Sequence, residues 1–288
     1  MNITIAKFFI ITTILLFKSL SFADVISMRS DYWCPYVCDS RSEKPGYMVE
    51  IAQQIFEKKG HTVDMRLTNW VRAVKDVRAN KAQVLVGASR MDAPDFIFTH
   101  NTMGIMKNAY FTKKDSQWKF TGRNSLQNMR IGVINGYTYG DSIDQMIRNR
   151  HKSFIPFSGE KPLEQMIRMI QTNRLDAFIE NPVALHQALK KFGVAAESLK
   201  VAGWVASQDP YLYIGFSPNH PRSREYAAIL NRGVEELRRS GELQRILDKY
   251  HVEDWEKSKI SLGALDDFSP RVLKSSFDLL DMFNARSL

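Results

Sequence analysis

The stretch Arg130-Ile-Gly-Val-Ile-Asn-Gly-Tyr-Thr138 decides the fold: a four-residue apolar run, Ile131 to Ile134, leads into a glycine-bearing loop and opens a new α/β unit. Helical stripes follow at Ile143, Met146 and Ile147 and again at Leu163, Met166, Ile167 and Ile170, and Leu175 to Ile179 returns as a strand. Upstream lies another such unit. Met48, Ile51 and Ile55 mark a helix stopped at Gly60, Val63, Met65 and Leu67 alternate as a strand, Val71, Val74 and Arg78 belong to a second helix, and Gln83-Val-Leu-Val-Gly87 is a buried strand. The polar segment Thr112 to Asn128 separates the two, so two lobes are implied. Downstream come a helix from Pro182 to Phe192 stopped by Gly193, strand-like runs Leu199 to Val205 and Tyr211 to Phe216, and a helical pattern from Arg222 to Arg239. In sheets of this kind ligands sit beyond the carboxyl ends of the strands, which points to the loops Gly87 to Arg90, Asn135 to Thr138 and Glu180 to Asn181.

The 288 residues are 44% hydrophobic and 25% charged, which excludes a disordered, collagenous or coiled-coil chain. Residues Met1 to Ala23 read as a secretory leader: Lys7 at the start, an apolar run from Phe8 to Phe17, and Ser21-Phe22-Ala23 before a cleavage point. That run is too short to span a bilayer and Lys18 interrupts it. Without Lys7 and Lys18 the formal charge falls from +9 to +7, with the basic residues scattered rather than blocked, so a nucleic-acid role is not indicated. An exported protein without a lipid-attachment cysteine fits the periplasm of a Gram-negative cell. In that oxidising compartment the spacing of Cys34 and Cys38 reads as a local disulfide, and no histidine stands at metal-ligand spacing beside them. No cofactor or metal is called for, and a monomer is expected. Beyond Tyr250 the segment Trp255 to Leu288, with Val272, Leu273, Phe277, Leu279 and Leu280, reads as a further helix.

The order of these elements resembles the family 3 extracellular solute-binding proteins, the polar amino-acid binders of bacterial uptake systems. The resemblance covers roughly Val25 to Tyr250. It rests on Trp33-Cys-Pro-Tyr36, Lys44-Pro-Gly-Tyr-Met-Val-Glu-Ile-Ala52 and Asn69-Trp-Val-Arg-Ala73, then on Arg130 to Thr138, Arg174-Leu-Asp-Ala-Phe-Ile179 and the closing Gly241-Glu-Leu-Gln-Arg-Ile-Leu-Asp-Lys-Tyr250. It implies a two-lobed, type II periplasmic-binding α/β fold with two hinge crossings, near Phe111 to Trp118 and Val201 to Tyr211, and a ligand cleft between the lobes. The implied division is a leader over 1–23, lobe 1 over 24–112 and 205–255, lobe 2 over 113–204, and a C-terminal extension over 256–288. Such a protein closes around a small polar, amino-acid-like or anionic solute by hinge motion and presents it to an ABC-type permease or a sensor.

The resemblance also assigns site residues. Trp33 takes the place of an aromatic that lies against the ligand, with packing over the Cys34–Cys38 turn as the alternative. Trp70 either walls the cleft or is core. Ser89 keeps a ligand-binding hydroxyl, but the arginine that normally clamps a carboxylate falls near Ala93 or Pro94 and is missing. Arg90 and Arg72 are the candidate replacements, each with a surface or ion-pair role as its alternative. Gly136, Tyr137 and Thr138 preserve the anion-donor loop of lobe 2. Asn181 stands where an aspartate usually holds the ligand ammonium, with Glu180 beside it.

Two other classes stay open. Some relatives on this scaffold are cyclohexadienyl or arogenate dehydratases, for which a buried Glu180 with a raised pKa would serve as general acid. The altered anchors also allow an interaction protein that keeps the fold without a small ligand.

Overall fold

The computed structural model describes residues 23–206 and 209–256. The leader expected over 1–23, except its last residue, and the extension beyond Glu256 lie outside the described residues, as do residues 207 and 208 of the second expected crossing.

The first lobe begins with β1 (Val25–Ser30), α1 (Tyr47–Lys58), β2 (Thr62–Leu67), α2 (Trp70–Arg78) and β3 (Val84–Ala88). β1 pairs in parallel with both β2 and β3, so the carboxyl ends of the three strands share one edge. α1 turns Met48, Ile51, Ala52, Ile55 and Phe56 onto this sheet, all buried. Its first turn meets the loop 31–38: a Cβ on Gly46 would stand 2.5 Å from the Tyr36 carbonyl oxygen, and φ there is +104°, so only glycine fits. α2 starts at Asn69, whose side chain accepts a hydrogen bond from the Arg72 N–H at 3.0 Å. The short strands β4 (Ile97–Phe98) and β5 (Gly104–Ile105) pair with β11 (Tyr211–Phe216), giving the sheet order β2-β1-β3-β11-β4.

The second sheet has the order β10-β6-β9-β7-β8, built from β6 (Ala109–Lys113), β7 (Ile131–Ile134), β8 (Phe154–Phe157), β9 (Ala177–Glu180) and β10 (Leu199–Trp204). Around it lie α3 (Asp141–Arg148), α4 (Pro162–Gln171) and α5 (Pro182–Phe192). The chain returns to the first lobe through β11, α6 (Ser223–Ser240) and α7 (Glu242–Lys249), whose Tyr226, Leu230, Val234, Ile246 and Leu247 join the core under α1. Trp255 is buried in that core, 6.1 Å from the Tyr47 ring.

The two-lobed α/β architecture expected from the sequence is present. β6 pairs with β9 and β10, so the chain enters the second sheet within residues 106–108, ahead of the 112/113 boundary and the 111–118 crossing read from the sequence. Strands β4 and β5 are two residues each, too short for any periodicity to show. β8 is hidden by Pro156, which a strand tolerates at the edge position it occupies. Among the described residues no helix is long and apolar enough to cross a membrane.

Candidate functional site

The loops at the carboxyl ends of β1, β2 and β3 face those of β7 and β9, and the two sets touch through named hydrogen bonds. After β1 the chain runs through buried Asp31 into a tight turn, where Trp33 and Val37 exchange backbone hydrogen bonds at 2.8 and 3.0 Å and a disulfide joins Cys34 to Cys38. This turn stacks Tyr36 on Trp33, ring centroids 4.1 Å apart and 17° from parallel. The Trp33 indole N–H then crosses to the second lobe and donates to Glu180 Oε1 at 3.1 Å, and the Tyr36 hydroxyl donates to Asn181 Oδ1 at 3.2 Å.

Asn181 is the N-cap of α5. Its Oδ1 accepts from the N–H groups of Val183 and Ala184 at 2.9 and 3.3 Å, so its first role is to start the helix. Glu180, at the end of β9, is 3% exposed; its Oε1 also accepts from the Asn181 N–H at 2.7 Å, and its Oε2 is buried without a hydrogen-bond partner.

The loop after β7 reaches the other way. Gly136 has φ +83°, and a Cβ there would lie 2.6 Å from Val71 of α2, so glycine allows the lobes to approach. The Tyr137 hydroxyl donates to Asp31 Oδ2 at 2.6 Å, and its ring meets Trp70 edge-on at 5.6 Å. The Thr138 hydroxyl donates to Asp92 Oδ1 at 2.9 Å. Asp92 Oδ2 in turn accepts from both the N–H and the hydroxyl of Ser89 at 2.8 Å.

Three carboxyl groups therefore meet at the contact between the lobes. Burial raises Asp31 to about 6, partly offset by the bond from Tyr137, and raises Glu180 to about 7, partly offset by the bonds from Asn181 and Trp33. Burial also raises Asp92 against the opposing bonds from Ser89 and Thr138. The hydrogen-bond partners of all three are neutral groups, and none of the ion pairs among the described residues includes them. No group of His, Cys, Asp and Glu with metal-site geometry occurs among the described residues.

Asp31 and Asp92 border a cavity of about 20 Å³, lined also by Trp33, Trp70, Gly87, Met106, Tyr137 and Thr138, with room for little more than one water; Glu180 is not on its wall and is reached through the Trp33 indole. Also bordered by Trp33, a larger cavity of about 190 Å³ lies between the disulfide turn and α4 and α5; its wall is mixed, with Tyr32, Leu163 and Phe192 beside the charged Lys161, Glu164 and Lys191.

The model of the family described as bacterial extracellular solute-binding proteins, family 3, matches residues 26–253. The chain belongs to this family. It is 21% identical over 224 residues to a protein of Campylobacter jejuni described as a probable histidine-binding protein, covering 76% of this chain and 81% of that one. Solved structures share its fold. One, described with glutathione import and the cystine ABC importer of Streptococcus mutans, superposes with a TM-score of 0.67 at 18% identity over 81% of this chain and 98% of its own. Another, an ABC transporter binding protein of Streptococcus pneumoniae holding histidine, gives 0.66 at 16% identity over 81% and 94%.

Of the residues expected at the cleft of this solute-binding protein, the structure brings together Trp33, Trp70, Ser89, Gly136, Tyr137, Thr138, Glu180 and Asn181. It does not bring in the two arginines. The Arg72 side chain is 70% exposed and pairs with Asp76 at 3.5 Å on its own helix. Arg90 lies over the Tyr213 and Phe98 rings, at 4.5 and 5.6 Å, and donates to the Thr99 carbonyl, because those rings of the first sheet offer the guanidinium flat faces outside the cleft. The anion-donor loop does donate to carboxylates, but they are Asp31 and Asp92 of this chain, while the Tyr137 N–H is used on the Ile134 carbonyl. Sequence reasoning missed Asp31, Asp92 and Met106 as lining residues. The Ser89-x-x-Asp92 spacing, which suits a side chain folding back on the preceding backbone, was the available signal for Asp92.

Proposed function

We propose that this protein is a periplasmic receptor that captures a small, positively charged organic solute between its lobes and presents it to an ABC-type permease or a sensor. One observation carries the reading: Asp31, Asp92 and Glu180 are enclosed at the interlobe contact with only neutral partners. Buried carboxylates without a counter-charge are costly, and a cationic solute supplies one. Trp33, Trp70, Tyr36 and Tyr137 around them suit the same charge. Among the described residues no lysine or arginine lines the small interlobe cavity, so an anionic solute has no counter-charge there. The 20 Å³ cavity has room for little more than one water, so entry of a cationic head group requires the lobes to part, and the 190 Å³ space bordered by Trp33, with Lys161, Glu164 and Lys191 on its wall, offers room for a polar remainder. The leader-like N-terminus and the family's extracellular character support the location.

The test is thermal unfolding of the chain from Asp24 against amines, guanidines, amino acids, organic acids and prephenate. A cation at a hundred times its Kd stabilises by about 2.7 kcal/mol. Stabilisation by organic anions alone, or by none of the panel, would overturn the reading.

The dehydratase alternative draws support from Glu180, a buried carboxyl able to keep its proton near neutrality. Its doubly anionic substrate would meet Asp31 and Asp92 in the small cavity, where no lysine or arginine among the described residues lines the wall, which favours the receptor. Product formation from prephenate would reverse that preference.

A further inference from the structure

Asp92 is held as a bound carboxylate is held. Three donors from two lobes converge on it: the Ser89 N–H and hydroxyl on Oδ2 at 2.8 Å each, and the Thr138 hydroxyl on Oδ1 at 2.9 Å. The loop fixes it there, since the Asp92 N–H closes a turn back to the Ser89 carbonyl at 3.3 Å. It also lines the interlobe cavity. A solute carboxylate entering this position would need the same donors and would lie against the Asp92 charge.

We propose that Asp92 is a tethered stand-in for a solute's carboxylate, so that the cleft takes an amine or guanidine in preference to the amino acid carrying the same cationic group. This inference rests on the cationic-solute reading above and narrows it. Asp92 satisfies donors on both sides of the cleft and so helps the lobes close, a task otherwise left to the solute. It leaves Asp31, which lines the same cavity, to meet the cation. A purely local role as a turn-former would alter stability but not the choice between solutes.

The experiment measures affinities by calorimetry for two matched pairs, histamine with histidine and agmatine with arginine. In the wild-type chain the amine is expected to bind at least tenfold more tightly than its amino acid. Asp92→Ala frees the three donors and is expected to raise amino-acid affinity at least tenfold while lowering amine affinity. Asp92→Asn keeps an acceptor on Ser89 without the charge; amino-acid affinity is expected to rise by less than threefold, and this variant serves if the alanine form does not fold. Wild-type preference for the amino acids, or an unchanged amine-to-amino-acid ratio in Asp92→Ala, overturns the inference while the cationic-solute reading stands. If no member of either pair binds the wild-type chain, the cationic-solute reading fails. Acetate or glycine binding gained by Asp92→Ala would then still support the stand-in role, and its absence would sink that too.

Discussion

Tyr137 of the second lobe donates its hydroxyl hydrogen to the buried Asp31 of the first at 2.6 Å, and its ring packs against side chains of both lobes. Because the hydroxyl faces a carboxylate in an enclosed site, burial first and Asp31 second hold the phenol well above its usual range. Tyr137→Phe removes the bond and keeps the ring. The expected cost is about 1.5–3 kcal/mol of the closed arrangement, the range for a hydrogen bond to a charged group. Small-angle scattering should report a larger radius for the variant, and an unchanged radius and melting temperature would show that the bond does not hold the lobes.

Closure should depend on pH. Burial raises Asp31 to about 6 and Glu180 to about 7, whereas in parted lobes both face water and return to roughly 4. The closed form therefore binds more protons. Its stabilisation is complete below about pH 4 and is lost as pH rises through the closed-state values near 6 and 7. Without solute, the scattering radius is expected to grow between pH 5 and pH 8, with Glu180→Gln weakening the transition. A flat profile would count against enclosed carboxyls.

A cationic solute competes with those same protons. Its affinity should rise by about fourfold or more from pH 5.5 to 7.5, since the solute displaces protons held with closed-state values near 6 for Asp31 and 7 for Glu180. Calorimetry at the two values checks the sign, and tighter binding at the acid end would contradict the site as drawn.

Asn181 separates capping from ligand binding. Asn181→Ala should cost about 1–2 kcal/mol through the lost N-cap of α5, and Asn181→Asp should retain most of that stability because a carboxylate caps equally well. Chemical denaturation of the two variants is the measurement. Equal losses in both would mean that the cap contributes little.

Arg72 and Arg90 provide the negative control. Arg72→Ala and Arg90→Ala are expected to leave solute affinity within about twofold and stability within about 1 kcal/mol, as for exposed pairs. Loss of binding in either variant would return that arginine to the cleft.

What could be read in the sequence was what local physics controls. The helix Pro182–Phe192 was readable at both ends because Pro182 suits a first helical turn and Gly193 adopts the left-handed φ of +64° that stops it. The strand Tyr211–Phe216 was readable from its apolar run. Cys34 and Cys38 are close enough in sequence to find each other across a turn, and they are joined. β4, β5 and β8 were not visible, because two-residue strands and a proline-bearing edge strand carry no period.

The sequence by itself determined the order of the main helices and buried strands, the two lobes and the set of loops that face each other, since these follow from apolar spacing and chain order. Tertiary structure alone decided which charges the cleft contains. Arg90 sits in a cleft loop yet turns to Tyr213 and Phe98, and Asp31 and Asp92 turn inward to Tyr137 and Thr138. A loop side chain points where distant surfaces offer a ring face or a donor. Those surfaces come together only when the second lobe and the returning strand β11 are in place.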